Sequence, residues 1–308
     1  LLSDTAPPAL RTRALSSITV GALVGVASGM ILGGYLGAHY GWRLALVGVG
    51  VPGLALALLV RLTLREPPRQ TGPGVGPRKA SRHLFGFASF RWAVAGACVS
   101  NIAIAGRNLW EPSFLVRNYG LSGAELGGVY VLIGAAPSAI GALVGAMVAD
   151  RLAGRDLRWL SWICGGSMAL GTPFLVAFLL WPADHTLAIA GLPIPVAYGW
   201  SVIGSLFLGC FSPPMASLAQ ALATPSMRSL AHALWTMPYT LIGMGLGPLV
   251  VGGLSERLGA SYGEDSLRIA LVLASLLLPV GALGFLLSAR DLRRDLARNA
   301  SVTDVAGS

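Results

Sequence analysis

Eight runs of about 20 or more apolar residues interrupt this chain, at about 16–38, 43–64, 88–116, 121–149, 158–181, 194–221, 229–255 and 266–289. A helix of that length crosses the roughly 30 Å hydrocarbon core of a bilayer, and the runs are too long for buried strands. Their glycines and prolines are tolerated in membrane helices better than in soluble ones. The chain carries 54% apolar residues with 41 Gly besides, only 11% charged residues, and a mean hydropathy of +0.69. So much apolar surface does not fit inside one water-soluble core, and soluble domains, disordered chains and nucleic-acid binders are all richer in charge. The expectation is an all-α, polytopic membrane protein whose medium is the lipid bilayer and whose partners exclude nucleic acid.

The positive charge is distributed by loop. Of the 22 Lys and Arg, all but Arg43, Arg107, Arg117, Arg257 and Arg268 fall in alternate loops and at the two ends. The positive-inside rule then places both termini in the cytoplasm, as an even number of spans requires. The chain opens at Leu1 without a secretory leader pattern; the expected location is a bacterial inner (plasma) membrane. Cys98, Cys164 and Cys210 lie inside apolar runs at spacings that suit neither zinc nor a disulfide framework. No cofactor and no metal site are expected. No Ser–His pair on one span, His/acid metal spacing or phosphate-cradling loop supports an enzyme, and no repeated ring of residues suggests a channel.

Two segments repeat six spans apart. Pro8-x-x-Arg11-x-x-Ala14 before the first run matches Pro225-x-x-Arg228-x-x-Ala231 before the seventh. Gly33-Gly34 matches Gly252-Gly253, and Arg43-Leu44-Ala45-Leu46 matches Arg268-Ile269-Ala270-Leu271. A parallel repeat of six-span halves is a transporter architecture. The expected organisation is therefore two spans over 1–64, forming the last third of an N-terminal bundle. A Pro/Gly-rich cytoplasmic linker follows over 65–87, then a complete six-helix bundle over 88–290 and a cytoplasmic tail over 291–308. On this reading four spans precede Leu1. After the linker, Arg82, Leu84, Phe85, Phe87, Phe90 and Arg91 predict a short helix lying in the membrane interface.

On these residues the chain resembles the major facilitator superfamily, and within it the spinster-like transporters. Asp4-x-x-Pro7 with Arg11, then Gly41-Trp42-Arg43, are similar to the family's stretch from the end of the fourth helix through the sixth. Ala146-x-x-x-Asp150-Arg151-x-x-x-Arg155 is similar to its signature loop between helices eight and nine, with Ala146 where Gly is usual. Tyr262-Gly263-Glu264-Asp265-Ser266-Leu267-Arg268 resembles a spinster-type approach to the last helix. The resemblance implies a partial major-facilitator fold, helices five to twelve of twelve. It also implies a secondary transporter of lysolipid-like or other amphipathic solutes coupled to protons, with the key acids in the first and fourth helices. The alternative is a truncated, transport-incompetent fragment acting only as a structural or interaction partner.

Candidate substrate-binding residues are the polar and aromatic groups inside the spans. Arg107 and Glu111 are spaced i,i+4 and lie on one helix face. Ionisable groups at such depth face a cavity or a partner, and this pair is expected to face the space between the two halves. Asn101 and Trp110 accompany it on the third span. Tyr198, Ser201 and Ser205 lie on the sixth, which Pro213-Pro214 must break or bend. His232, Trp235, Thr236 and Tyr239 open the seventh. Candidate gating residues are Arg11, Asp150, Arg151, Arg155 and Arg228, at the cytoplasmic ends. The i+4 stripe of Gly21, Gly25, Gly29, Gly33 and Gly37 reads as a close helix–helix packing face.

Overall fold

The computed structural model describes Gly21, Gly25, Ser28, Gly29 and residues 31–63, 76–189, 192–223 and 227–306. The first apolar run is represented by its end, helical over 31–40 (α1). Helix α2 is Trp42–Thr63, α3 is Pro77–Leu84 and α4 is Ala88–Tyr119. Helix α5 (Gly123–Tyr130) and α6 (Ala136–Ala153) flank a single π-helical turn, Val131–Ala135. Helix α7 is Arg158–Leu180. The strands β1 (Thr186–Ile189) and β2 (Leu192–Pro195) form an antiparallel pair, with Thr186 opposite Pro195 and Ile189 opposite Leu192. Helices α8 (Val196–Cys210), α9 (Ser212–Ala221), α10 (Arg228–Tyr262), α11 (Ser266–Ser275) and α12 (Leu277–Ala306) complete the chain.

Six stretches of the described residues are long and apolar enough to cross a membrane. The last, Ser229–Asn299, is 71 residues long. At 1.5 Å per residue a straight helix of that length would span about 107 Å, several times the hydrocarbon core. It is folded back at Gly263, whose φ of +53° ends α10 in a conformation that side chains with a Cβ rarely adopt. The architecture is all-α and polytopic. The Pro213-Pro214 break occurs as expected, with α8 ending at Cys210 and α9 beginning at Ser212. At the break the Cys164 thiol donates to the Phe211 carbonyl, at 3.4 Å. The π turn leads directly into Pro137, whose missing N–H interrupts the regular ladder.

The chain divides into two units. One comprises residues up to Gly72 with Leu115–Ala136; the other comprises Pro73–Phe114 with Pro137–Ser308. In the first, α1 and α2 form a hairpin turned by Gly41 at φ +81°. Gly33 and Gly37 face Val49 and Ala45 of α2, each about 4.0 Å from where a Cβ would stand. Helix α2 has no buried residue. Its apolar side chains are at ease in hydrocarbon, where there is no hydrophobic penalty for exposure. Ser122 and Glu125 close a reciprocal capping box at the start of α5, which fixes where that span begins.

The second unit is held by close backbone approaches. Where α4 crosses α12, a Cβ on Gly96 would stand 2.6 Å from the Gly281 carbonyl oxygen and 3.1 Å from the Gly284 Cα. Where α4 crosses α10, a Cβ on Gly106 would stand 2.7 Å from the Gly247 carbonyl oxygen. Gly141 of α6 lies against the Leu206 backbone of α8, and Gly204 of α8 against Leu175 of α7. In lipid, van der Waals contact between closely approaching helices replaces the hydrophobic effect as the force for association, and only a missing Cβ permits this distance.

The Arg-rich end carries the largest apolar core, with Leu84, Phe90, Phe285 and Leu292 all fully buried. Phe90 meets Trp235 edge-on at 5.7 Å. The interfacial-helix expectation is corrected here. The helix is Pro77–Leu84, and Leu84, Phe87 and Phe90 are buried in protein rather than in the membrane surface, because α3 packs on α10. The segment read as a tail is helical through Ala306. Within it, Asp295 is buried and accepts hydrogen bonds from the backbone N–H of Ser89 at 2.8 Å and from its hydroxyl at 2.6 Å. A carboxylate on the first turn of α4 complements the exposed N–H groups and positive dipole end there.

Substituting Gly96 by Leu forces side-chain carbons into the α12 backbone. The expected cost is about 1–3 kcal/mol, as for other overpacked cores. It should appear as a lowered unfolding temperature in detergent, whereas Gly50→Leu on α2, with nothing within 4 Å, should leave that temperature unchanged.

Candidate substrate-binding site

Helix α4 carries the central pair. Arg107 and Glu111 are one turn apart, and the guanidinium meets the carboxylate side-on. Nε donates to Oε2 at 2.6 Å and Nη2 donates to Oε1 at 3.1 Å. The side chains are 8% and 2% exposed, so this is a buried ion pair with bidentate geometry. Helix α8 brings Ser201 and Ser205, themselves i,i+4, against the same group, with Nη2 at 3.5 Å and 3.4 Å from their hydroxyl oxygens. Both serines are buried. Nη1 has no partner among the described residues. The Ser205 carbonyl accepts from Ser138 of α6 at 3.2 Å, which ties the serine-bearing turn to a third helix.

Asn101 and Trp110 serve a different purpose from the one the sequence suggested. Asn101 Nδ2 donates to the Tyr239 carbonyl at 2.7 Å, and Trp110 Nε1 donates to the Pro248 carbonyl at 3.0 Å. Both acceptors lie on α10, and both pairs are 138 residues apart in sequence. A constant offset means that the two helices run parallel in fixed register. The Gly106–Gly247 contact lies between the two hydrogen bonds. These side chains therefore fix α10 on α4, with the Asn101 Nδ2 and Trp110 Nε1 donors spent on backbone.

The other predicted residues separate. Tyr198 is half-buried on α8. Trp235 is a core residue, 2% exposed and stacked edge-on against Phe90. His232 is exposed, with Thr236 Oγ1 3.5 Å from its Nε2, and Tyr239 is half-buried. Asp150, Arg151 and Arg155 are exposed at the end of α6 and form no ion pair among the described residues. Arg11 and the Arg228 side chain lie outside the described residues, as do Pro8, Ala14 and Pro225 of the repeat.

The ion pair found at this end was not anticipated. Asp156, between α6 and α7, accepts from Arg293 of α12 at 2.7 Å. Arg158 Nε donates to the Ala289 carbonyl at 3.0 Å beside it. The Asp156 carboxyl is held below its usual range, first by the Arg158 backbone N–H and then by Arg293. A depressed carboxyl stabilises the fold above the ordinary carboxylate range, and that contribution is lost as pH falls through the folded value. Sequence reading overlooked the pair because its partners are 137 residues apart and neither stands in a motif.

With the fold and the pair in view, comparison with known proteins is informative. The sequence profile of the Major Facilitator Superfamily matches residues 1–199. The chain belongs to the major facilitator superfamily. Among its relatives is an MFS-type efflux pump of Mycolicibacterium smegmatis, 31% identical over 298 residues, covering 95% of this chain and 67% of the pump. Protein spinster homolog 3 of Danio rerio is 24% identical, covering 96% of this chain and 63% of that protein. Protein spinster homolog 1 of Xenopus tropicalis is also 24% identical, with 94% and 58% covered. The chain thus spans about two thirds or less of the length of these relatives. A bacterial homolog of the human lysosomal transporter Spinster, solved in an inward-facing and unoccupied conformation, superposes with a TM-score of 0.72 at 22% identity. That match covers 96% of this chain and 74% of the other. It shares the fold.

Removing one member of a buried pair leaves the other charge uncompensated, at a cost of about 3–5 kcal/mol. Glu111→Ala should therefore destabilise strongly. The double replacement Arg107→Leu with Glu111→Leu should recover most of that loss, read as unfolding temperature in detergent.

Proposed function

We propose that this chain supplies the C-terminal bundle, with two helices of the preceding one, of a secondary transporter. It moves an anionic amphipathic or lysolipid-like solute across the membrane by alternating access, coupled to protons. Membership of a family of membrane transporters supports the general activity. The observation that carries the finer reading is the buried Arg107–Glu111 pair on α4, set against Ser201 and Ser205 of α8.

A guanidinium is a planar fork suited to phosphate or carboxylate. Here one edge of the fork is held by Glu111, and Nη1 has no partner among the described residues. An arriving anionic headgroup competes with Glu111 for Arg107. The displaced carboxylate, now without its counter-charge in a poorly solvated place, takes up a proton. When the headgroup departs, Glu111 gives up the proton and re-forms the pair. The solute on Arg107 and the proton on Glu111 are thus taken up and released together, which couples the two. Ser201 and Ser205 supply hydroxyls that hydrogen-bond either the guanidinium or the solute. Asp150, Arg151 and Arg155, with Arg11 and Arg228, are proposed to form the gate at the cytoplasmic side. Both termini lie on that side, in a bacterial inner membrane.

In proteoliposomes, Arg107→Ala should reduce transport of the anionic lysophosphatidylglycerol at least tenfold more than transport of a neutral monoacylglycerol. Equal loss of both, compared at matched amounts of folded protein, would assign the pair a structural role only.

A further inference from the structure

The Arg-rich end of the second unit carries a surface that the transport reading does not use. Helix α12 is 30 residues long, about 45 Å at 1.5 Å per residue, and so exceeds the hydrocarbon core by about ten residues. Its apolar part ends at Ala289, and Arg290 and Arg294 follow, both exposed and one turn apart. Antiparallel register sets the depth of these residues. Gly96 lies against Gly284 and Ser89 against Asp295, so Trp92 of α4 stands at about the level of Arg290. Trp92 is 45% exposed. A tryptophan at the water-facing end of a membrane helix marks the headgroup layer. Arg158, over the Trp162 ring at 4.8 Å and bonded to the Ala289 carbonyl, marks the same level on α7.

Helix α3 adds a second contribution. Its Ala80 and Leu84 are fully buried against protein, and His83 Nε2 is 3.1 Å from Asn299 Oδ1 of α12. The helix is thereby fixed beside the protruding end of α12 with Arg82 outward and exposed. Arg91 is exposed as well, with Nη1 on the Phe85 carbonyl at 2.8 Å. The acids nearby are committed or few. Asp295 is buried on Ser89, Asp156 is taken by Arg293, and Asp291 is partly exposed on α12.

We propose that Arg82, Arg91, Arg290 and Arg294 form a collar that retains anionic phospholipids of the adjoining leaflet. The argument for lipid over a soluble polyanion is depth. The collar begins at the tryptophan level, where phosphodiesters lie, and basic residues at that level attract anionic headgroups. Helix α3 is bound to protein by its apolar face, so its Arg side is presented to headgroups without entering the bilayer.

The test uses the purified chain in nanodiscs of phosphatidylcholine containing one-quarter phosphatidylglycerol, with co-purified lipid counted by native mass spectrometry. The expected result is preferential retention of phosphatidylglycerol. It should fall about tenfold or more when all four arginines are replaced by Gln, and survive replacement by Lys, because each basic residue contributes through its charge. On the unmodified chain, high salt should weaken the preference, whereas millimolar inorganic phosphate should not compete it away. Equal retention of the two lipids by the unmodified chain, or undiminished preference in the Gln variant, overturns the proposal. So does displacement by free phosphate, which would indicate a soluble anion as the ligand. None of these readouts depends on transport.

Discussion

The fold rests on the approach of one helix backbone to another across glycine. Gly106 against Gly247 and Gly96 against Gly281 set the spacing of α4 from α10 and α12, and no side chain larger than hydrogen fits at those crossings. Lipid offers helices no hydrophobic reason to associate, so contact area gained by close approach is what distinguishes the native bundle from separated helices. Once α4 is fixed on its two neighbours, its polar side chains have no freedom of position. Asn101 and Trp110 reach α10 carbonyls at a single offset, and Arg107 with Glu111 is carried to α8.

Within that frame the charged pair is the costly element. A guanidinium and a carboxylate removed from water lose several kcal/mol each, and mutual attraction with good geometry offsets the loss without guaranteeing a gain. Two leucines of similar volume would serve packing as well. Exchange of partners is the use we propose for the bidentate pair with two serines on one donor. The Arg-rich end shows the opposite economy. There Asp295 is buried to satisfy helix N–H groups, and Asp156 joins α12 to the α6–α7 loop, so those acids stabilise a fixed arrangement.

Much of this was readable from the residues. Runs of about 20 apolar residues have one physical use, so the spans, the break at Pro213-Pro214 and the i,i+4 pairing of Arg107 with Glu111 follow from length and period alone. What sequence could not supply was long-range register. The stripe from Gly21 to Gly37 is regular, yet the close crossings of the second unit use Gly96, Gly106, Gly141, Gly204, Gly247 and Gly281, which follow no single period because they serve several different helix pairs. Trp235 looked like a pocket residue and is buried, since its ring meets Phe90 of α4. Leu84, Phe87 and Phe90 have the pattern of a membrane-surface helix. An apolar face does not reveal whether it will meet lipid or protein, and here it meets α10.

The central claim is that Arg107 exchanges Glu111 for the anion of a solute, and protonation of Glu111 is its direct signature. Infrared difference spectra of the transporter in lipid, recorded on adding lysophosphatidylglycerol, report carboxyl protonation by residue when compared with Glu111→Gln. The account predicts a carboxylic-acid carbonyl band that appears with the lysolipid, is absent in Glu111→Gln and does not appear with a neutral monoacylglycerol. A difference spectrum identical in the Gln variant, or a carboxylate band unchanged on binding, would contradict it.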